Sequence, residues 1–221
     1  MFLSIFDIFK IGIGPSSSHT MGPMTAAASF LDALRTGLRE PGAGEVAHVT
    51  CSLHGSLSFT GKGHATDRAV MLGLCGFEPA TIDPDRAEQA EAALHRDKVI
   101  HPDGLPPLKF DPAADLIFDY GPPLPGHANG MVLRGFDAAG RLFMEETYYS
   151  VGGGFVMTAA ELDAQKNGGP KEFHAEKEAQ GYPYPFGSAN EMLAMGRASG
   201  KSIAQMKWAN EEANAPRAEI K

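Results

Sequence analysis

The feature that most constrains the fold is a pair of strand patterns joined by a tight turn. Residues 131–137 and 141–149 are predicted to be short strands, and the segment DAAGR that joins them has the composition of a hairpin turn. A hairpin joins neighbouring antiparallel strands, whereas parallel strands need long crossover connections. The sequence therefore predicts a mixed or mostly antiparallel sheet and disfavours a regular alternation of strands and helices.

Other periodic segments surround this hairpin and predict an α+β fold. Apolar residues recur at helical spacing over residues 20–36 and 65–74, and a polar, alanine-rich helix is predicted at 84–97. Strand patterns occupy residues 45–53 and 115–120. We expect the helices to cover one face of the sheet.

The composition changes after this domain. Residues 161–185 are charged and interrupted by glycine and proline, which is typical of a linker or an extended surface segment. Two helices follow, separated at Gly200, with Ser188 and Ser202 as the expected N-caps. The expected organisation is a domain at 1–158, a linker at 159–186 and the truncated start of an all-α domain at 187–221.

Composition excludes several classes of protein. Hydrophobic residues make up 43% of the chain and charged residues 21%, which is ordinary for a globular protein. The net charge of −8, without a basic cluster, argues against nucleic acid as a partner. The apolar N-terminal segment contains Asp7 and Lys10 and lacks the features of a signal peptide, and no apolar run reaches membrane-spanning length. The two cysteines, Cys51 and Cys75, predict a cytosolic protein and are too few to hold an iron–sulfur cluster.

The segment GPSSSHT, residues 14–20, places five hydrogen-bonding side chains immediately before a predicted helix. A single serine would cap this helix, and Ser17 or Ser18 is the candidate. Several hydroxyl groups at a helix N-terminus also form a site for a carboxylate or phosphate group. A hydrolase triad is disfavoured, because Ser18 and His19 are sequence neighbours and the chain has no G-x-S-x-G motif. The helix cap and the anion site both remain open.

A second segment, HGSLSFTGKGHATD, begins with what reads as a loop at 54–64. It differs from a nucleotide-binding P-loop in its glycine spacing and in having Gly63 where serine or threonine should bind magnesium. Its glycines still allow backbone N–H groups to approach a small anion, Lys62 supplies positive charge, and His64 can exchange a proton near neutral pH. An exposed, inert histidine is the alternative. We expect this segment and GPSSSHT to converge on one site.

A third segment, HANG, places His127 and Asn129 at a turn before a strand. A plain β-turn and a contribution to a site are both compatible with this pattern.

Several of these motifs carry a family resemblance. The stretches FDIFKIGIGPSSSHTMGPM, HGSLSFTGKGHATD, HANGM, YYSVGGGF and SIAQMKWANE, in this order, resemble the iron–sulfur-dependent L-serine dehydratases of bacteria. In that family the matching segment is the β domain plus the first helices of the α domain. The β domain is similar to the allosteric substrate-binding domain of some phosphoglycerate dehydrogenases.

The resemblance implies an L-serine ammonia-lyase that forms pyruvate and ammonia without pyridoxal phosphate. The family's 4Fe–4S cluster polarises the serine hydroxyl while a base removes the Cα proton, and the cluster's cysteines belong to the remainder of the α domain. We therefore expect no cluster on this segment alone, and no turnover by it alone. A regulatory amino-acid-binding domain is the alternative function.

The resemblance also implies roles for individual residues. His64 is the expected base, and His19 is the second candidate. The expected substrate-binding residues are Ser16, Ser17, Ser18, Thr20, Lys62, Gly63, Asp67, His127 and Asn129. The expected partners are L-serine or another small amino-acid anion, the α domain and a second copy in a homodimer, with no nucleic acid, membrane or metal bound by this segment and a cytoplasmic location.

Overall fold

The fold is taken from a computed structural model, which describes residues 4–5, 12–36, 38–167 and 181–220. These residues belong to two compact units. The larger comprises residues of Ile11–Leu162, and the smaller combines residues of Met1–Lys10 and Asp163–Lys221. The domain boundaries expected from the sequence stay predictions, and residues 168–180 of the expected linker lie outside the described residues.

In the described part of the larger unit, seven strands form one mixed sheet with the order β2-β3-β1-β5-β6-β7, and β4 also pairs with β1. The strands are β1 (Val46–Gly55), β2 (Val99–Ile100), β3 (Leu108–Lys109), β4 (Leu116–Phe118), β5 (Asn129–Asp137), β6 (Leu142–Gly152) and β7 (Phe155–Thr158). Strand β1 is parallel to β3 and β4 and antiparallel to β5. The β5–β6 pair is antiparallel, which confirms the predicted hairpin.

The helices that lie in or begin in this unit are α1 (Gly22–Arg35), α2 (Ser56–Phe59), α3 (Thr66–Leu74), α4 (Pro84–Asp97) and α5 (Ala159–Asn167), the last of which begins in this unit and has its residues from Asp163 onward in the smaller one. A π-helical turn, Ser17–Met21, precedes α1, and a 3₁₀ turn, Gly61–His64, precedes α3. The prediction of a loop at 54–64 is wrong, because α2 and the 3₁₀ turn occupy most of it. Leu57 is fully buried, and this tertiary contact stabilises a single helical turn that would not form by itself. Helix α5 lies within the segment expected to be a linker.

The hydrophobic core lies between the helices and one face of the sheet. Val49, Cys51 and Leu53 alternate along β1 and belong to the same buried cluster as Phe30 and Leu31 of α1. This arrangement confirms the predicted α+β fold with a mixed sheet. The packing of α1 against the sheet also brings the beginning of α1 beside the end of β1, where the candidate site lies.

The smaller unit contains helices α6 (Ala189–Ser199), α7 (Ile203–Glu211) and α8 (Arg217–Ile220). Ser188 and Ser202 cap α6 and α7, and each cap forms a reciprocal capping box with the third residue of its helix. Gly200 ends α6 in the left-handed conformation, with φ +66°. The predicted caps and the break at Gly200 are therefore confirmed, as is the presence of helices after the sheet domain.

Candidate active site

The segments GPSSSHT and GKGHATD meet through a reciprocal pair of hydrogen bonds. The Thr20 hydroxyl donates to the carbonyl oxygen of His64 over 2.9 Å, and the Thr66 hydroxyl donates to the carbonyl oxygen of His19 over 2.6 Å. Both threonines are buried, with 4% and 0% of their surface exposed. The expected convergence of GPSSSHT and GKGHATD is confirmed by this geometry.

The meeting point holds two histidine side chains with their rings close together and tilted. The ring centroids of His19 and His64 lie 4.8 Å apart, with 36° between the ring planes. His19 Nδ1 lies 3.0 Å from the Ser18 hydroxyl oxygen, and His19 Nε2 lies 2.9 Å from the Ser56 hydroxyl oxygen. His64 Nδ1 lies 2.9 Å from the carbonyl oxygen of Thr60.

The surroundings of His19 favour its neutral form. Burial lowers the pKa of His19 below 6.5, the neighbouring His64 lowers it further, and an interaction with the Ser56 backbone raises it in part. His19 is therefore neutral at pH 7, which is the form of an imidazole that accepts a proton.

The serines of GPSSSHT mainly hold His19 in place. Ser16 adopts an extended conformation and its hydroxyl accepts a hydrogen bond from the His19 backbone N–H over 3.2 Å. Ser16 is therefore the N-cap of the π-helical turn, and the prediction of Ser17 or Ser18 as the cap is wrong. Ser18 contacts the His19 ring, whereas Ser17 is exposed. The roles of these serines and of Thr20 in binding a substrate stay predictions.

Lys62 and Asp67 line a cavity of about 490 Å³ that neither His19 nor His64 lines. Two ion pairs also border this cavity, Arg68 with Glu91 at 2.7 Å and Lys98 with Asp111 at 2.6 Å. The Lys62 ammonium lies 5.3 Å from the centroid of the Phe118 ring. Lys62 and His64 share the 3₁₀ turn, but the structure does not bring Lys62 and Asp67 into the histidine pair.

Gly63, between Lys62 and His64, is exposed and has open space on the side where a Cβ would project. The site is therefore accessible beside this glycine. Its predicted part in substrate binding is untested.

Asn129 begins β5, and His127 lies two residues before it. Asn129 pairs with Gly55 across the β1–β5 ladder, directly before Ser56. Its backbone N–H donates to His127 Nδ1 over 3.1 Å, and its side-chain amide donates to the carbonyl oxygen of Ser150 over 3.2 Å. These contacts stabilise the turn before β5 and the end of the β1–β5 ladder, next to Ser56.

Three residues of the site were not selected from the sequence. Ser56 and Thr60 contact the two imidazole rings, and Thr66 binds the His19 carbonyl. Thr66 lies inside GKGHATD, so the sequence analysis selected its segment but not the residue itself. Ser56 and Thr60 lie in the stretch that was interpreted as a loop. Their four-residue spacing indicates a shared face only in a helix, so it was not used.

The described ranges contain no suitable set of protein ligands for a metal ion. No three histidine, cysteine, aspartate or glutamate side chains there are grouped closely enough to hold a metal ion. Cys51 is fully buried within β1, and burial raises its pKa; burial also raises the pKa of Cys75 to about 11. Neither thiol is readily ionised, and these residues do not fit an iron–sulfur cluster. Among the helices whose placement is described, none combines the length and apolarity that crossing a membrane requires.

Comparison with known proteins gives a consistent picture. The model of the family "serine dehydratase beta chain" matches residues 4–161. The chain is 43% identical to an L-serine dehydratase of Helicobacter pylori over 92% of its length, 39% identical to one of Streptomyces coelicolor over 96%, and 38% identical to L-serine dehydratase 1 of Escherichia coli over 99%. It covers 42%, 44% and 45% of these three relatives, and so spans less than half of their length. On the extent of these matches, the chain belongs to the serine dehydratase beta chain family.

Proposed function

We propose that this chain supplies the proton-accepting part of an L-serine dehydratase that converts L-serine to pyruvate and ammonia. The observation that carries the proposal is the His19–His64 pair, which lies on two helical turns joined by the Thr20 and Thr66 hydrogen bonds and contains a neutral imidazole at His19. The names of the relatives identify L-serine as the substrate to consider.

The proposed chemistry begins with removal of the Cα proton of L-serine by one imidazole of the pair, with His64 preferred and His19 as the second candidate. Loss of the β-hydroxyl group as water leaves aminoacrylate. This product tautomerises to an imine, and addition of water to the imine releases ammonia and pyruvate. Ser17 and Gly63 are exposed and lie within two residues of His19 and His64 in the chain, so we propose them as the first substrate contacts to test.

The 4Fe–4S cluster implied by the resemblance would lie elsewhere in a longer protein. Cys51 and Cys75 are unsuited to hold it, and we assign no step of the reaction to it here. A cytoplasmic location, a homodimer and the absence of pyridoxal phosphate remain parts of the same proposal.

A regulatory amino-acid-binding role is the second candidate, and the cavity beside Lys62 favours it. Ammonium and carboxylate groups line this cavity together, as recognition of a zwitterionic amino acid requires. In this case a substitution of Lys62 would alter how a bound amino acid activates the enzyme and would leave the chemical step unchanged.

The activity test compares His64→Ala with Lys62→Ala and with His101→Ala, an exposed histidine control, in an active enzyme that contains this chain. Pyruvate formation from L-serine is measured after the three variants are shown to have the wild-type melting temperature. Loss of a general base reduces turnover by about 100- to 10,000-fold, so we expect a loss of this size in His64→Ala alone. Full turnover in His64→Ala, with altered activation in Lys62→Ala, contradicts the catalytic proposal and supports the regulatory one.

A further inference from the structure

The two histidines differ in which ring nitrogens are free. A carbonyl oxygen only accepts hydrogen bonds, so the contact between His64 Nδ1 and the Thr60 carbonyl requires a proton on Nδ1. The neutral form of His64 then carries its lone pair on Nε2. Across the described ranges, no hydrogen bond to His64 Nε2 is present.

His19 has hydrogen-bond partners at both ring nitrogens. Ser18 contacts Nδ1 at 3.0 Å and Ser56 contacts Nε2 at 2.9 Å. A hydroxyl group can donate to one nitrogen or accept from the other, so this arrangement satisfies a neutral imidazole completely. His19 therefore cannot bind a substrate proton at either nitrogen without first breaking a hydrogen bond.

We infer that Ser56 is a positioning residue, which binds His19 Nε2 and so leaves His64 Nε2 as the one ring nitrogen of the pair open to a substrate. The inference rests on the proposed function and deepens it, because it names the proton-accepting atom. His64 is the catalytic residue in this account, and Ser56 acts through His19.

The backbone around Ser56 fixes the position of its hydroxyl group. Gly55 has φ +56°, and a Cβ at this position would lie 2.4 Å from the carbonyl oxygen of Ala128. The Ser56 N–H donates to the same Ala128 oxygen over 2.8 Å, and the Thr60 hydroxyl donates to the Ser56 carbonyl oxygen over 2.8 Å. One helical turn, α2, thus places both the Ser56 hydroxyl beside His19 and the Thr60 carbonyl beside His64.

The test uses Ser56→Ala with Ser58→Ala as the matched control. Ser58 lies in the same helical turn and is buried, and its hydroxyl has no hydrogen-bond partner among the described residues. NMR of the imidazole nitrogens in the purified chain reports the tautomer of each histidine. We expect neutral His64 to carry its proton on Nδ1 in all variants. The His19 nitrogen signals should shift in Ser56→Ala, stay unchanged in Ser58→Ala, and return towards the wild type in Ser56→Thr.

The same variants in an active enzyme should separate positioning from substrate binding. We expect Ser56→Ala to lower kcat by about 10- to 100-fold, taking as a guide the loss seen when the hydrogen-bond partner that orients a metal-bound histidine is removed, with little change in KM and with recovery in Ser56→Thr. The inference is overturned by unchanged His19 signals in Ser56→Ala, by a proton on His64 Nε2 in the wild type, or by unchanged kcat in Ser56→Ala. The remaining outcome is a fully active His64→Ala enzyme together with the expected NMR signals in the wild type and the Ser56 and Ser58 variants. This outcome overturns the proposed function and leaves the hydrogen-bond assignment intact.

Discussion

At the scale of single residues, the hydroxyl groups of the site form hydrogen bonds to the two histidines. Ser16 and Ser18 hold the backbone and ring of His19, and Thr20 and Thr66 tie the two loops together. Ala65, between the histidine turn and α3, adopts the left-handed conformation at φ +53°, which costs roughly 1–2 kcal/mol for a residue with a side chain. The threonine bonds on either side offset this cost.

Replacing Thr66 with valine should therefore destabilise the larger unit measurably. Thr66 is fully buried, and the His19 carbonyl that it binds would lose this partner, at a cost of about 1–3 kcal/mol. Thr20→Val should have a similar effect through the His64 carbonyl. Thr36→Val is the control, because Thr36 is exposed and its hydroxyl donates to the Ala33 carbonyl oxygen at its own helix end. Urea unfolding followed by circular dichroism measures the effect, and equal stability of Thr66→Val and Thr36→Val would contradict it.

At the scale of secondary-structure elements, the longer segments other than α5 could be predicted from the sequence, and the one-turn segments could not. Helix α4 occupies the predicted range 84–97, and the β5–β6 hairpin forms as expected. Helix α2 depends on the burial of Leu57 and on the bond to Ala128, which local periodicity does not contain. Strands β2 and β3 have two residues each and were missed for the same reason.

Element geometry also explains which candidate site residues separate. A 3₁₀ turn has about three residues per turn, so side chains two positions apart diverge. His64 consequently faces His19, while Lys62 lines the neighbouring cavity. Lys62 and His64 were assigned to one site because they are close in the chain. Only the 3₁₀ geometry of the turn shows that their side chains point in different directions.

The β5–β6 hairpin carries a prediction of pH dependence. Asp137 is buried and accepts backbone hydrogen bonds from Gly44, Arg141 and Ala139 as well as the Arg141 side chain. The bonds from Gly44 and Arg141 contribute most to lowering the pKa of Asp137 from 3.8 to about 2. Because this pKa is lower in the folded state, its contribution to stability is complete above pH 3.8 and is lost as the pH falls towards 2.

The variant Asp137→Asn should remove that contribution. We expect its free energy of unfolding to be lower than that of the wild type at pH 6, with the difference shrinking as the pH falls towards 2. Asp32→Asn, in an exposed ion pair with Arg35, should change stability little throughout. Urea unfolding at several pH values provides the measurement, and a constant difference between Asp137→Asn and the wild type would refute the assignment.

At the scale of the whole molecule, residues far apart in the sequence complete each unit. In the smaller unit, the carboxylate of Glu211 in α7 is buried and accepts hydrogen bonds from the Ser4 hydroxyl and the Ile5 N–H, so the start of the chain contributes to packing near its other end. In the larger unit, forty-odd residues separate His19 from His64, yet the two rings touch. The candidate site is therefore a product of the folded sheet and helices rather than of one motif.

The most direct test of the central claim is an NMR titration of the purified chain with L-serine. The signals of His19 and His64 report the paired-loop site, His95 reports the cavity that Lys62 lines, and exposed His101 serves as the control. The account predicts saturable shifts at His19 and His64, while His101 stays unchanged. Saturable shifts confined to His95, with His19 and His64 unmoved up to saturation, would contradict it.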